Sequence, residues 1–489
     1  MKIKKSNKEI TLIGGGIMSL TLASLINELH PNSTITLIEK LNKCGLESSK
    51  GINNAGTGHA GFCELNYTPI KKGVIDINRA LEIGEMFETS LQLWAYLDKK
   101  YNFFDASKFI NQTPHISFVY GEENVSFLKK RFDALKKQPL FKGMQYTSNK
   151  KIISKWAPLL MHKRKKEENV AATKIDHGSD IDFGELTDQL LSILKKNKNF
   201  TLLLSSNVYS IKDDENKFTV HYRNLITKKT NYLNTDYIFI GAGGKAISLL
   251  QNMKLTEGFG YGGFPLSGKW LVCNDPKVIE QHHVKVYGQA LPKSPPLSIP
   301  HLDLRTISGK KTLLFGPFAG FTSRFLKNGS PFDLARSIKL NNLRTLFGVL
   351  FKNFNLLLFL IKQSLQSHNS RMDQLKNFYP GAINNQWKLI NAGQRVQILK
   401  KCVENGGKLE FGTEIIFAKN KKIAVLIGAS PGASVSGSLM LNVIKEIYGN
   451  SLESSIKKII PGYGINLNKN PKKLHEIRNK VYKQLKLWK

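Results

Sequence analysis

The chain has 489 residues, 41% hydrophobic and 22% charged, which is enough apolar material for a large buried core. Its net charge of +35 leaves three explanations: nucleic-acid binding, attraction to an anionic membrane, or a lysine bias of the coding genome. The lysines are dispersed, and neither a zinc-finger spacing nor an RNA-binding aromatic signature accompanies them. Compositional bias is therefore the favoured explanation, and we expect no nucleic-acid partner.

The cysteines indicate a reducing compartment. Cys44, Cys63, Cys273 and Cys402 are far apart and form no C-x-x-C pair, which argues against structural disulfides and a cysteine metal site. The basic N-terminus runs straight into an apolar strand pattern without a signal segment. We expect a cytoplasmic protein without a bound metal.

The segment from Glu9 to Glu39 predicts a βαβ unit with a glycine-rich first turn. Ile10–Ile13 is an apolar run typical of a buried parallel strand, and Ile17–Leu29 has apolar residues at helical spacing. A second strand, Thr34–Ile38, precedes Glu39. Such a unit offers a helix N-terminus to a pyrophosphate and an acid to a ribose hydroxyl. The expected cofactor contacts here are Gly14, Gly15, Gly16, Met18, Ser19, Glu39 and Lys40.

The glycine pattern departs from the usual one at its third position, where Ser19 replaces glycine. That position needs only a small residue for close packing of helix on strand, so serine should be tolerated. A tight turn without any ligand is the alternative. The strand, glycines, helix and terminal acid in one register favour a dinucleotide site.

Residues 47–69, ESSKGINNAGTGHAGFCELNYTP, predict a loop that wraps closely around a ligand. The run is rich in Ser, Asn and Gly, and small residues allow the backbone to approach a bound molecule. Its expected cofactor contacts are Ser48, Ser49, Asn53, Asn54, Thr57 and Gly58.

Downstream patterns predict further elements in chain order. The predicted helices are Asn78–Asp98, Phe127–Leu135, Thr187–Leu194 and about 434–447, and the predicted strands lie in Phe109–Val119, Thr201–Ile211, Asp236–Ile240, Thr312–Phe315 and Ala424–Ile427. Two of these strands run into glycine turns that would again approach a cofactor. The additional expected contacts are Val208, Gly241, Ala242, Gly243, Gly428, Ala429, Pro431 and Gly432.

Several of these blocks together resemble the malate:quinone oxidoreductase family. The matching motifs are GGGIMS, ESSxGxNNAGTGH, CELNYTP, TPHISFVYGEENV, IFIGAGG, PHLDLR, LLFGPFAGF, AGQRVQI and IGASPGAS, in this order along almost the whole chain. Chance agreement in so many separate blocks is very improbable.

The resemblance implies an α/β (α+β) fold, with an FAD-binding Rossmann-like domain interleaved with a mixed-sheet substrate-binding domain. The expected FAD-binding domain comprises 1–75, 170–256 and 386–489, and the cap comprises 76–169 and 257–385. It also implies FAD-dependent oxidation of (S)-malate to oxaloacetate, with electrons passed to a membrane quinone. The implied location is the inner face of the cell membrane, with peripheral contact to anionic lipid.

Oxidation of a 2-hydroxy dicarboxylate needs a base for the hydroxyl proton and cations for the carboxylates. Arginine binds carboxylates better than lysine because its planar fork contacts both oxygens. Arg305 and Arg395, both in matching blocks, are the predicted anchors. An imidazole suits proton abstraction at neutral pH. His59 is the first choice of base, and His301 and His115 are the alternatives.

Two segments could contact a membrane: the apolar run Leu343–Leu365, interrupted by polar residues, and the amphipathic C-terminal segment Leu474–Trp488. Each could equally be a helix that docks on its own domain. Two other functions stay open at this point. One is a related flavoenzyme for another 2-hydroxy or amino acid with a different acceptor, and the other is a basic nucleic-acid-binding protein with an inactive nucleotide fold.

Overall fold

The computed structural model describes residues 7–253, 255–289, 299–402, 406–428 and 432–488. Two large β-sheets, of six and nine strands, organise these residues, and helices cover them. Each sheet draws its strands from several separate segments, so the chain passes repeatedly between them. The expected mixed α/β architecture is confirmed.

The first sheet is parallel except for one antiparallel edge strand. Its centre is the predicted βαβ unit, with strand Glu9–Ile13, helix Ile17–Leu29 and strand Thr34–Ile38. Ile10 packs into the helical core on one face and Ile13 into a second core on the other, which explains the continuous apolar runs. In spatial order the strands are Phe200–Leu203, Thr34–Ile38, Glu9–Ile13, Tyr237–Ile240, Ile423–Gly428 and Thr413–Phe417.

The second sheet is mixed and mostly antiparallel. Its long strands pair in register over many residues, which gives a broad, rigid surface. In spatial order the strands are Gly406–Glu410, Lys388–Cys402, Gly262–Cys273, Lys310–Phe321, His301–Ile307, Lys285–Tyr287, His115–Tyr120, Val170–Ile175 and Gln145–Thr147.

The two sheets divide the chain differently from the sequence expectation. Strands Val170–Ile175 and Lys388–Cys402 lie in the second sheet, although 170–256 and 386–489 were expected in the cofactor-binding domain. Helix Asn78–Lys100, expected in the cap, packs into the helical core beside the first sheet. The chain passes from one sheet to the other within apolar segments, so no change in amino-acid composition indicates these points in the sequence.

The predicted strand Thr201–Ile211 is divided between two sheets. Phe200–Leu203 is an edge of the first sheet, whereas Ser206–Asp214 begins a three-stranded antiparallel sheet with Lys217–Asn224 and Thr230–Thr235. Ser205, with a φ of +49°, reverses the backbone between them.

Helices and short strands complete the described fold. Asp182 caps one of the helices, because its Oδ1 accepts hydrogen bonds from the N–H groups of Gly184 and Glu185 at 3.0 and 3.2 Å. The helix that Asp182 caps is Phe183–Leu194. The other helices are Asn78–Lys100, Glu122–Leu135, Lys150–Trp156, Pro158–Met161, Ala246–Asn252, Pro276–Ile279, Asp333–Ser337, Leu343–Lys352, Phe354–Ser364, His368–Phe378, Ser436–Tyr448, Glu453–Ile459 and Pro471–Gln484, and the short strand pairs are Ile70–Lys71 with Val74–Ile75 and Ile110–Gln112 with Ser179–Ile181.

The C-terminal helix, Pro471–Gln484, docks on its own domain. Leu474, Ile477 and Val481 are buried in the helical core, so its apolar face has no surface left for a membrane. Within the described residues no single helix combines the length and apolar composition of a membrane span. Leu340–Lys352 and Phe354–Ser364 reach that composition only together, and they are bent by 76°.

A buried ion pair fixes this C-terminal helix. Arg478 Nε donates to Glu88 Oε1 of helix Asn78–Lys100 at 2.7 Å, and its NH2 group donates to the Leu140 carbonyl at 3.0 Å. Loss of the cation would leave a buried carboxylate without its partner. Loss of one partner from a buried ion pair lowers the free energy of unfolding by more than the intact pair contributes to it.

We therefore predict that Arg478→Met lowers the free energy of unfolding by about 3 kcal/mol. The double variant Arg478→Met with Glu88→Gln should recover much of this, because no buried charge remains. Arg79→Met, which breaks an exposed pair with Glu82, is the matched control and should change stability by less than about 1 kcal/mol. Denaturant unfolding measures all three, and equal losses at both arginines would contradict the prediction.

Candidate active site

A cavity of about 620 Å³ lies at the carboxyl ends of the first sheet's parallel strands, facing the second sheet. This is where open α/β sheets bind ligands, and the volume is usual for a cofactor pocket. Most of the predicted cofactor contacts line it. They are Gly14, Gly15, Gly16, Met18, Glu39, Lys40, Ser48, Ser49, Asn53, Asn54, Thr57, Val208, Gly241, Ala242, Gly243, Gly428 and Gly432.

Four predicted contacts are not among the lining residues. Ser19 packs under the turn, where a Cβ added at Gly241 would lie 2.4 Å from its Oγ, so its small size is needed for packing. A Cβ at Gly58 would meet Ser179 Oγ at 2.1 Å, so Gly58 also serves close packing. Ala429 and Pro431 lie outside the described residues.

The first glycine turn brings bare backbone to the cavity. Gly14 has a φ of +98°, and a Cβ there would lie 2.6 Å from the Gly241 carbonyl oxygen, so no other residue fits without strain. Gly16 is the N-cap of helix Ile17–Leu29 and has no capping side chain. The Ile17 N–H donates to Ser49 Oγ at 3.0 Å. The helix N-terminus therefore faces the cavity, where its dipole favours an anion.

Glu39 lies at the end of the second strand, in the cavity wall. Its two carboxylate oxygens accept backbone hydrogen bonds from Gly15 at 2.6 Å and Leu41 at 2.7 Å. Burial raises the pKa of Glu39, and these hydrogen bonds oppose the rise. The carboxylate is thus held beside the glycine turn, where a ribose hydroxyl would reach it.

A buried ion cluster, defined as Lys285, Asp180, Arg305 and Asp303, lies beneath the Asn- and Gly-rich loop. Lys285 Nζ lies 2.8 Å from Asp180 Oδ1 and 3.7 Å from Asp303 Oδ2. Arg305 Nε lies 2.6 Å from the same Asp180 oxygen. All four side chains are almost completely buried. Two cations and two anions balance one another, which is what permits their burial.

This cluster clamps the loop through its backbone carbonyls. Arg305 NH1 donates to the carbonyl oxygens of Gly51 and Asn54, and its NH2 donates to that of Ile181 at 3.1 Å. Lys285 donates to the Ala55 carbonyl at 2.8 Å. Gly56 must be glycine, because its φ is +59° and a Cβ would lie 2.2 Å from Arg305 Cζ. The loop conformation is therefore set by the ion cluster.

This geometry favours a structural role for Arg305 over the predicted contact with a substrate carboxylate. Arg305 is fully buried beneath the loop, is not among the cavity-lining residues, and directs its donors to Asp180 and to backbone carbonyls. A sequence pattern identifies a retained arginine but not the group that it contacts.

His59, the first-choice base, does line the cavity. Its Nδ1 lies 2.5 Å from Oε1 of Glu64, which is buried. Burial opposes ionisation of Glu64, but the hydrogen bond and charge of His59 outweigh it and lower the Glu64 pKa. An ionised carboxylate at Nδ1 fixes the ring orientation and leaves Nε2 as the acceptor nitrogen.

The two alternative bases, His301 and His115, are not among the cavity-lining residues, so the geometry favours His59 over them. His301 Nδ1 lies 2.7 Å from Asp303 Oδ2, and its ring stacks on Tyr287 at a centroid distance of 4.4 Å. His115 Nε2 lies 3.0 Å from the Ser179 carbonyl oxygen, and burial lowers its pKa to about 4. Both imidazoles are buried and bonded to neighbouring protein groups.

Arg395 lines the cavity opposite the glycine turns. It lies on strand Lys388–Cys402 of the second sheet, and its guanidinium has no hydrogen bond or salt bridge to another described residue. Burial lowers its pKa, and the neighbouring hydroxyls of Tyr287 and Tyr67 oppose that change. A cation in this position, without a protein partner, needs an anion from the cavity.

Sequence reasoning missed the residues that surround these two groups. Glu64 follows His59 by five residues and belongs to the motif CELNYTP, so this spacing could have suggested a pair of His59 with Glu64. Tyr287, whose hydroxyl lies 2.7 Å from Thr57 Oγ1, and Lys285 come from a short strand without a sequence signal. Their positions depend on the pairing of that strand with the rest of the second sheet.

The described residues fit an FAD molecule. The turn at Gly14 offers bare backbone where a Cβ would clash, the N-terminus of helix Ile17–Leu29 suits a pyrophosphate, and Glu39 lies where a ribose would bind. The loop residues 53–57 and Arg395 line the same cavity. One continuous space therefore joins the dinucleotide features to the candidate catalytic residues.

Comparisons with known proteins decide the family. A family model for malate:quinone oxidoreductase matches residues 6–487. The chain belongs to the malate:quinone oxidoreductase family. A probable malate:quinone oxidoreductase of Methylobacillus flagellatus is 47% identical over 485 residues, covering 98% of each chain. Another, from Hahella chejuensis, is 45% identical and covers 100% of this chain and 99% of its own.

Membership in this family confirms the predicted activity, FAD-dependent malate oxidation with a quinone acceptor. The structure of L-α-glycerophosphate oxidase from Mycoplasma pneumoniae with FAD bound has a TM-score of 0.60, 16% identity, and coverage of 90% of this chain and 95% of that chain. This likeness shows the shared flavoenzyme fold. The alternative of another acid or acceptor has no support beyond that fold.

The clamp on the loop gives a testable role to Arg305. We predict that Arg305→Lys weakens FAD binding about 10²-fold, because lysine cannot bridge Asp180 and the three carbonyls and a loss of about 3 kcal/mol follows. Flavin absorbance after gel filtration and a fluorescence titration with FAD measure the effect.

Arg79→Lys, on an exposed helix surface, is the matched control and should retain its flavin. An Arg305→Lys variant with normal FAD content but a raised KM for malate would contradict the clamp and return Arg305 to substrate binding.

Proposed function

We propose that (S)-malate binds in the cavity with one carboxylate on Arg395 and its C2 hydroxyl directed at His59. The observation that carries this proposal is the guanidinium of Arg395, which lines the cavity without a described protein partner. Arginine stays protonated in proteins, so a substrate carboxylate would supply the missing anion. A bidentate contact would also fix the orientation of the acid.

His59 is the proposed base. Glu64 holds its Nδ1 at 2.5 Å, which supports a tautomer with Nε2 free to take the hydroxyl proton of malate. When bound, FAD would accept the hydrogen of C2 together with its electron pair, as a hydride. Glu64 stabilises the imidazolium that forms, since its carboxylate remains ionised and buried beside the ring.

The remaining predicted contacts have proposed roles around the cofactor. Gly14, Gly16 and the helix N-terminus would face the pyrophosphate, and Glu39 the ribose. Asn53 and Asn54 hold the loop through their own amides, since Asn53 Nδ2 donates to the Glu47 carbonyl at 2.7 Å. Thr57 would approach the flavin ring from the clamped loop.

We also propose peripheral attachment to the inner face of the cell membrane, because the acceptor quinone is dissolved in the bilayer. The net charge of +35 supports attraction to anionic lipid. The docked C-terminal helix cannot provide this membrane contact, so another exposed apolar surface must provide it.

The base assignment predicts that His59→Asn slows anaerobic reduction of the bound flavin by malate about 10²- to 10⁴-fold, with FAD content unchanged. Stopped-flow absorbance measures the rate. His283→Asn, an exposed histidine, is the control and should keep the normal rate. A larger loss in His301→Asn or His115→Asn than in His59→Asn would contradict the assignment.

The anchor assignment predicts that Arg395→Met raises the KM for malate about 10²-fold, because a charged hydrogen bond worth up to about 3 kcal/mol is lost. Steady-state kinetics with a soluble dye as acceptor measure it. Arg223→Met, at an exposed strand position, is the matched control. An unchanged KM in Arg395→Met would refute the anchor.

A further inference from the structure

One surface of the molecule concentrates exposed apolar side chains. Ten of the 21 exposed large hydrophobic residues in the described chain lie within 332–365. Scattered apolar residues are normal on a protein surface, but a concentration of this size within one short segment indicates an interaction site. This group, here called the apolar face, consists of Phe332, Ile338, Leu340, Phe347, Leu350, Phe351, Phe354, Leu358, Ile361 and Leu365.

Six of the ten residues of the apolar face lie on two consecutive helices, Leu343–Lys352 and Phe354–Ser364. In helix Leu343–Lys352 the inner side is buried through Thr345 and Val349, which pack toward the edge of the second sheet. On the outer side Phe347 is 54% and Phe351 is 80% exposed. Exposed positions continue at helical spacing into helix Phe354–Ser364. A surface helix normally presents polar residues outward, and this pair does the reverse.

Along the chain from 334 to 372 every charged residue is basic, whereas Asp333, next to Phe332, is buried and paired with Lys245. Within the described residues none of the basic side chains of this segment forms a salt bridge. Those basic residues, from 334 to 365, are Arg336, Lys339, Arg344, Lys352 and Lys362. Unpaired cations beside exposed apolar side chains match an anionic lipid surface, with its charged headgroups above an apolar interior.

The helix pair lies beside the substrate cavity. Leu360 packs on Leu266 and Ala319 of the second sheet. Leu266 is paired directly with Arg395 on the neighbouring strand. Directly opposed residues of antiparallel strands point to the same face of a sheet. Leu266, which contacts this helix, and Arg395, the proposed carboxylate anchor, therefore share one face and lie about one strand spacing apart.

We propose that the apolar face docks the enzyme on the anionic surface of a lipid bilayer, with the substrate cavity held next to the membrane. The inference extends the proposed function, since a quinone in that bilayer would then lie close to the flavin cavity. The 76° bend between the helices suits an element that lies in the interface and does not cross it.

Vesicle binding by the FAD-loaded enzyme tests the docking. Wild type should co-sediment with vesicles of phosphatidylglycerol and phosphatidylcholine, and much less with pure phosphatidylcholine. The double variant Phe351→Glu with Leu365→Glu should bind anionic vesicles at least about tenfold more weakly. The matched control is Ile226→Glu with Tyr232→Glu, and its binding should equal wild type. Both side chains are also exposed, but Tyr232 lies on strand Thr230–Thr235 of the three-stranded sheet and Ile226 in the turn that precedes this strand.

The charge contribution has its own variant. Lys352→Gln with Lys362→Gln should weaken binding by about fivefold per charge at low ionic strength, and the difference from wild type should disappear in high salt. Wild-type affinity in this variant at low salt would contradict the electrostatic part of the docking.

Activity separates this inference from the proposed function. Malate-driven reduction of a soluble dye should be the same in wild type and in Phe351→Glu with Leu365→Glu, whereas reduction of a long-chain quinone carried in anionic vesicles should fall about tenfold in the variant. If wild type does not reduce the dye with malate, the proposed malate-binding site is refuted and the docking is not. The docking would be overturned by normal vesicle binding of the variant or by absent binding of wild type. It would also be overturned if the variant differed from wild type only in oligomeric state on size exclusion, as a monomer in place of a dimer.

Discussion

The contact between Asp180 and the two cations Lys285 and Arg305 determines how the two halves of this enzyme meet. Asp180 lies in a short strand next to the loop, whereas Lys285 and Arg305 come from strands of the second sheet. Their charges neutralise one another in a fully buried position, and their spare donors reach the loop carbonyls. Because removal of any one member would leave an unpaired buried charge, the loop has a single stable conformation against the cavity.

The same principle of charge pairing explains why Arg305 and Arg395 have different roles. Arg305 and Arg395 both lie on strands of the second sheet, yet one is saturated by protein groups and the other has none among the described residues. A saturated buried arginine stabilises structure, whereas an unsaturated one in a cavity attracts an anion. The same distinction separates His59, which lines the cavity, from the packed imidazoles of His301 and His115.

Much of the first sheet could be predicted from the sequence, because its signals are local. Helix Ile17–Leu29 and strand Thr34–Ile38 have the predicted bounds, and the glycine turn between strand and helix requires glycine for steric reasons. The second sheet could not be predicted in this way. Tyr287, Lys285 and Asp180 meet only through pairing between distant strands, and no local pattern encodes such pairing. The same limit applied to Arg305, whose residue type suited a substrate anchor but whose neighbours were unknown.

The first sheet is assembled from strands that span residues 9 to 428, and its two strands nearest the C-terminus, Thr413–Phe417 and Ile423–Gly428, pair beside Tyr237–Ile240. During synthesis the N-terminal βαβ unit therefore leaves the ribosome long before its sheet can be completed. Contacts of such high sequence separation form slowly, and the partly built sheet would expose an apolar edge meanwhile. We therefore expect capture of the flavin to be a late event in biogenesis, after the strands that end at Gly428 have been synthesised.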